Sequence, residues 1–203
     1  MAREPKYTWV FVVVGFVLAG VMLGIILLVG TESPVWTVVR FGALLGYVAV
    51  FLACLSSAFL RQLVQTFGRS FVQVHHIVSV SGLVLLLVHA LGVAWDARSL
   101  IVFIPPFSSL TRFLEFGGRP AIWMIGVASL VALLRATLRK SWRPIHWLNY
   151  VAFLLGTVHG VLIGTDFELL PVRVLSIAMA VVVVGVFVWK RMEAARRRAK
   201  RRG

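Results

Sequence analysis

Six apolar stretches dominate this sequence, at 8–29, 35–60, 71–94, 120–138, 145–164 and 171–189. Each is long enough to cross a hydrocarbon core of about 30 Å as an α-helix. Turn-forming or charged residues separate them. With 60% hydrophobic against 14% charged residues and a mean hydropathy of +0.95, the chain is far more apolar than a water-soluble domain. We therefore expect an all-α integral membrane protein, a bundle of six transmembrane helices.

Basic residues gather on one side of this bundle. That side takes the N-terminus, the loops after spans two and four, and the eight Lys and Arg residues between 190 and 202. Because cytoplasmic loops keep the positive excess, we predict a multi-pass protein of the plasma membrane with both termini in the cytoplasm. We divide it into a six-span domain, 1–190, and a basic cytoplasmic tail, 191–203, that contacts the anionic lipid bilayer. A net charge of +14 does not indicate a nucleic-acid partner, because such a footprint needs a soluble face.

All five histidines fall inside or at the edge of predicted spans, where ionisable residues are costly and usually functional. Spans three and five start on the same side and run parallel. His75 or His76 then lies beside His146 at the inner level, and His89 lies beside His159 at the outer level. The levels are 13 or 14 residues apart, roughly 20 Å, which leaves room for two stacked haem planes. A dinuclear or zinc site would need its ligands in one small cluster, so the spacing disfavours both.

Helical phase favours His75 over His76 as the inner ligand, and His76 stays the alternative. At about 100° per residue, position i+14 returns to within about 40° of its start, so His75 shares a face with His89.

Span five lacks this agreement, because the 13 residues between its two histidines leave them about 140° apart in phase. We therefore predict a π-type bulge or a strong tilt in this span, which Gly156 would permit. Gly82 and Gly156 lie between the two levels. Small residues there either let a macrocycle approach the backbone or serve ordinary helix packing.

The histidines and their flanking residues resemble a known family. His75 and His89 share one span, and another span contains Trp142-Arg143-Pro144-Ile145-His146 followed by Thr157-Val158-His159-Gly160. This pattern resembles the ferric reductase-like transmembrane domain family, which includes the membrane part of NADPH oxidases, ferric reductases and the haem subunit of the bacterial periplasmic methionine-sulfoxide reductase. The resemblance implies two b haems between spans three and five, an inner one on His75 and His146 and an outer one on His89 and His159.

Basic residues near the two levels are candidates to pair with haem propionates. For the inner haem these are Arg61, Arg69, Arg139, Lys140 and Arg143. Arg40 lies about a turn and a half into span two from the outer side, where an unpaired guanidinium is costly. It either snorkels to the interface or meets an outer propionate. The segment 95–120 is expected to lie on the membrane surface and to cover the outer haem edge, where its arginines attract an anionic acceptor.

The resemblance implies electron transfer from a cytoplasmic flavin to an acceptor outside the cell. No Gly-rich dinucleotide fingerprint follows a strand, so we expect a separate flavoprotein or a quinone as the donor. The leading interpretation is therefore an oxidoreductase, or the electron-transfer subunit of one, that works through b-type haem. One alternative is a haem subunit that feeds a periplasmic methionine-sulfoxide reductase. Two others are a proton-coupled transporter with a histidine relay and a structural subunit of a larger complex.

Overall fold

A computed structural model describes residues 8–30, 33–68 and 70–200, and within these ranges the chain is helical, without a strand. The helices are α1 (Thr8–Val29), α2 (Pro34–Phe67), α3 (Ser70–Asp96), α4 (Leu110–Glu115), α5 (Gly118–Leu133), α6 (Arg135–Leu138), α7 (Trp142–His146), α8 (Leu148–Ile163) and α9 (Leu170–Ala199). Two 3₁₀ turns, Leu100–Phe103 and Thr165–Glu168, lie in the connections. The all-α prediction is confirmed.

Four helical segments are long and apolar enough to cross a membrane: Pro34–Phe67, Ser70–Asp96, Trp142–Ile163 and Leu170–Ala199. Two shorter apolar segments, Val13–Val29 and Gly118–Leu133, fall at the positions expected for spans one and four. The described chain is thus a membrane protein by the length and composition of its helices, and the count of six spans stays a prediction.

The ends of α2 show why the sequence breaks where it does. Ser33 precedes the helix in an extended conformation, and its side-chain oxygen accepts a hydrogen bond from the backbone N–H of Val35 at 3.2 Å. Pro34 follows at the first helical position, where its missing N–H costs nothing. At the other end Gly68 adopts φ +82°, which glycine tolerates without the penalty of a Cβ. α2 therefore continues to Phe67, beyond the expected limit at residue 60.

Small residues bring α2 and α3 into close contact. A Cβ added to Gly42 of α2 would lie 2.5 Å from the carbonyl oxygen of Leu85 and 2.8 Å from the backbone nitrogen of His89. On α3, a Cβ added to Gly82 would lie 3.1 Å from that of Ala49. Glycine at these points lets the two backbones approach, as is common between membrane helices. α2 is consequently the helix against which His89 is positioned.

An aromatic cluster occupies the centre between α2, α8 and the second 3₁₀ turn. Tyr47 stacks on Phe153 with 4.6 Å between ring centroids, and Phe167 meets Tyr47 edge-on at 6.3 Å. The Tyr47 hydroxyl lies 2.8 Å from the Thr157 hydroxyl and donates to the carbonyl oxygen of Ser176 at 3.1 Å. These bonds satisfy a polar group that would otherwise be costly in the interior.

Candidate functional site: two histidine-lined cavities

Four of the five histidines make a hydrogen bond through the same ring atom, Nδ1, and in three of them the partner is a backbone carbonyl oxygen. Nδ1 of His89 lies 3.2 Å from the carbonyl oxygen of Val39, Nδ1 of His146 lies 3.1 Å from that of Ala128, and Nδ1 of His159 lies 2.7 Å from that of Glu115. A carbonyl oxygen only accepts, so Nδ1 carries the proton in each ring. The lone pair is therefore on Nε2.

His75 is held through a hydroxyl group instead of a carbonyl group. Its Nδ1 lies 2.7 Å from the Ser56 hydroxyl oxygen, and that oxygen lies 3.0 Å from the carbonyl oxygen of Ala53. A hydroxyl group can donate to either neighbour, so this contact orients the ring without fixing which of its nitrogens is protonated. Three of the four predicted ligands, His89, His146 and His159, are thus held with Nε2 available to a metal, the arrangement that orients histidine ligands in metalloproteins.

His76 differs from the other four. Its side chain is exposed on the surface of the bundle, and its ring lies 5.9 Å from that of His75. Its side chain lines neither of the two cavities that the other four histidines line. The structure therefore places His75, and not His76, with His146.

The outer level contains a large cavity. It measures about 400 Å³, within the range of roughly 300–1,000 Å³ typical of small-molecule and cofactor sites. His89 on α3 and His159 on α8 line it, together with mainly apolar residues of α2, α3, α5 and α8. A Cβ added to Gly156 would contact nothing within 4 Å, so this glycine leaves the cavity open on the α8 side. The two histidines and the volume of this cavity both suit a haem.

The inner level contains a much smaller cavity. His75 and His146 line it with Ser57, Ser79 and Asn149, and it measures about 40 Å³. One water needs roughly 10–15 Å³ of such space, so the cavity holds a few waters but not a macrocycle. The two histidines at the inner level suit a haem, whereas the volume of the inner cavity does not.

Two apolar side chains separate the levels. Val50 of α2 and Ile125 of α5 line both cavities. Among the described residues, no three or more His, Cys, Asp and Glu side chains lie close enough together to hold a metal ion. The histidines are thus arranged as two separate pairs.

Span five, which corresponds to α7 and α8, bends in a different way from the one expected. α8 runs unbroken from Leu148 to Ile163, so there is no bulge at Gly156. The interruption lies at Trp147, where Trp147 N–H donates to Pro144 and Tyr150 N–H donates to Trp147, both across three residues. Such a tightened turn rotates about 120° per residue, which moves the two histidines of this span toward one face. The two glycines between the levels have different surroundings. Gly156 faces the open space of the outer cavity, whereas Gly82 packs against α2.

The outer loop completes the outer cavity. Val102, Phe116 and Arg119 line it, and the carbonyl oxygen of Glu115 holds His159. Arg119 also donates to the carbonyl oxygen of Ile104 at 3.2 Å. As expected, the segment between residues 95 and 120 covers the outer site, although nothing in the sequence pointed to the role of the Glu115 backbone.

The basic residues proposed for propionates have mixed positions. Arg40 lines the outer cavity but its guanidinium is paired with Asp166, at 2.5 Å and 2.8 Å from the same carboxylate oxygen. Arg143 is exposed, with its guanidinium 5.9 Å from the Trp142 ring, and it lines neither cavity. Arg69 lies outside the described residues. Arg61, Arg139 and Lys140 are exposed.

These features define an all-helical bundle with four helices of membrane-spanning length and two cavities, each lined by a pair of histidines. The chain belongs to the family described as a domain of unknown function (DUF8596), whose match covers residues 34–166, more than half of the chain. The matched range contains all five histidines, Arg40 and Asp166. No curated protein and no solved structure matches the chain.

Proposed function

We propose that this protein binds b-type haem and conducts electrons across the plasma membrane, from a donor on the cytoplasmic side to an extracytoplasmic acceptor. The hydrogen bonding of the four histidines is the observation that supports this most. All four rings are oriented by a hydrogen bond at Nδ1, and at His89, His146 and His159 this bond leaves Nε2 unprotonated. His76 is exposed and does not share the pattern. A set of buried relays would not need the same tautomer at three positions.

Haem bound by two histidines supplies a one-electron carrier without an open coordination position, which suits electron transfer better than oxygen binding. The protein's own residues do the rest at the outer level. Val39 and Glu115 fix the two rings through their backbone carbonyl groups. The surrounding apolar side chains exclude water. Arg119, which lines the cavity, is a cation that a propionate or an anionic acceptor could pair with.

The inner level supports the proposal through its donors alone. Binding of a second haem between His75 and His146 would require the residues around the 40 Å³ cavity to move apart. The same small hydroxyl-lined cavity favours a second candidate function, a proton-coupled transporter in which water and histidines form a relay. These two candidates differ in a property that is easily measured, because one protein is coloured and the other is not.

The direct test is to purify the protein in detergent and to record oxidised and dithionite-reduced spectra with a pyridine haemochrome count. We expect b-type haem, bound at the outer pair and, with a count of two per chain, at the inner pair as well. His89→Ala and His159→Ala should each remove the same haem, and the matched control His76→Ala should retain it. A folded protein that stays haem-free after reconstitution would contradict the proposal and favour the transporter.

The donor remains a separate flavoprotein or a quinone in this proposal, with a ferric reductase-like or oxidase-like reaction at the outer face. Delivery of electrons to a periplasmic methionine-sulfoxide reductase would use the same electron-transfer path, with a protein as the acceptor. Oxidation rates of the reduced protein with chelated ferric iron, oxygen and such a partner separate these acceptors.

A further inference from the structure

A buried ion pair lines the outer cavity. Nε and Nη2 of Arg40 lie 2.8 Å and 2.5 Å from Oδ1 of Asp166, and both side chains are only 11% exposed. Nη1 of Arg40 also donates to the carbonyl oxygen of Gly30 at 2.5 Å. The guanidinium therefore connects α1, α2 and the 3₁₀ turn that follows α8.

The pair is also connected to both outer histidines. Arg40 directly follows Val39, whose carbonyl oxygen holds His89, and Asp166 lies in the turn after the helix that bears His159. Arg40, Asp166, His89 and His159 all line the same cavity. In an apolar cavity a charge acts over a longer distance than in water, because the effective dielectric constant is lower.

We propose that Arg40 and Asp166 exert opposite and mutually compensating effects on the reduction potential of the group held by His89 and His159, a role that rests on the proposed function. Reduction by one electron adds one negative charge to this cavity. The Asp166 carboxylate opposes that charge, and the Arg40 guanidinium favours it. The effects of the two charges on the reduction potential nearly cancel. The potential of the outer site therefore lies between the values that either charge alone would give.

A purely structural role predicts a different outcome. If the pair only held α1 and the 3₁₀ turn Thr165–Glu168 against α2, loss of either partner would weaken the same contact. Both losses would then change the reduction potential in the same direction. If the charges act electrostatically, loss of Asp166 and loss of Arg40 must change the potential in opposite directions. The sign of the shift therefore distinguishes the two roles.

The experiment is a potentiometric titration of the haem-loaded protein in alkaline buffer, which keeps a lone carboxylate ionised. We expect Asp166→Asn to raise the midpoint potential, Arg40→Gln to lower it, and the double variant to return close to the wild-type value. Arg173→Gln is the matched control, because Arg173 is an outer-side arginine that donates to the carbonyl oxygen of Val161 and does not line the cavity. Shifts of the same sign, or no shift, in protein that retains haem would overturn the proposal.

Removal of one member of a buried ion pair leaves an uncompensated charge, which is destabilising. A conservative variant keeps the test decisive if a single variant does not accumulate. Arg40→Lys keeps the charge but loses the two-pronged hydrogen bonding, and we expect its potential to stay near that of the wild type. A clear shift in Arg40→Lys would overturn the proposal, because this variant keeps the charge and loses only the two-pronged hydrogen bonding. Absence of haem from the wild-type protein would instead refute the proposed function itself, so the two failures are distinguishable.

Discussion

Nδ1 of His159 donates a hydrogen bond of 2.7 Å to the backbone carbonyl oxygen of Glu115, which lies 44 residues earlier at the end of α4. The outer loop, and not a neighbouring span, therefore orients this ring. Gly117 and Gly118 allow the loop to come so close. A Cβ added to Gly117 would lie 2.8 Å from the carbonyl oxygen of Leu155, and one added to Gly118 would lie 2.9 Å from Cδ2 of His159.

Gly118→Ala should therefore disturb the outer ligand selectively. The added methyl group would lie 3.1 Å from Nε2 of His159, and the ring cannot turn away without losing its bond to Glu115. We expect a destabilisation of about 1–3 kcal/mol, as for other overpacked sites, and loss of haem from the outer pair only. Thermal unfolding and the haem count per chain measure both effects. Gly126→Ala is the matched control on the same helix, since its Cβ would meet nothing within 4 Å. Equal haem content in the two variants would contradict this role of Gly118.

Ser56→Ala tests the orientation of the inner ring. The substitution removes the hydrogen bond between the Ser56 hydroxyl and Nδ1 of His75, and a buried polar group left unpaired costs about 1–3 kcal/mol. We expect lower thermal stability and, where the inner haem is present, loss or spectral change of that haem. Ser79→Ala is the control. Ser79 lines the inner cavity, and its hydroxyl donates to the backbone carbonyl oxygen of His75 and not to its ring. Similar behaviour of the two variants would indicate that Ser56 acts only as a helix residue.

The helices and the pairing of histidines could be predicted from the sequence because both follow from local rules. Apolar length locates the helices, and the 3.6-residue period selects His75 over His76. The same period failed in span five, because it assumes a regular helix and the chain tightens at Trp147 instead. A single tightened turn leaves no clear mark in composition.

Other parts of the site depend on contacts between distant residues. The partner of Arg40 is 126 residues away, and a buried arginine by itself indicates only that some anion must be near. Likewise, the backbone of Glu115 accepts a hydrogen bond whatever its side chain is. Such relationships come from tertiary packing, so one sequence could not have identified them.

Arg191 is predicted to stabilise the break beside His146. Its guanidinium lies 3.9 Å from the centroid of the Trp147 ring, at the tightened turn between α7 and α8. Arg191→Ala should cost about 0.5–1 kcal/mol of this cation–π contact and change the near-ultraviolet circular dichroism of the tryptophans. Arg197→Ala is the matched control, because Arg197 is an arginine of the same helix whose guanidinium pairs with Glu193 instead. If the Arg191 and Arg197 variants give the same spectrum, Trp147 is not held by Arg191.

Cysteine labelling can determine whether α5, one of the two shorter apolar helices, crosses the membrane. Cys54, the only cysteine, is buried, so the wild-type protein provides an unreactive background. Ala97 and Ser141 are exposed, and α5 is the apolar helix between them. With the basic loops in the cytoplasm, an impermeant maleimide should label Ala97→Cys on intact cells and Ser141→Cys only after permeabilisation. Labelling of both positions from the same side would mean that α5 does not cross and that His89 and His146 are not at opposite levels of a six-span bundle. The reverse pattern would keep the crossing of α5 and invert the direction of electron transfer.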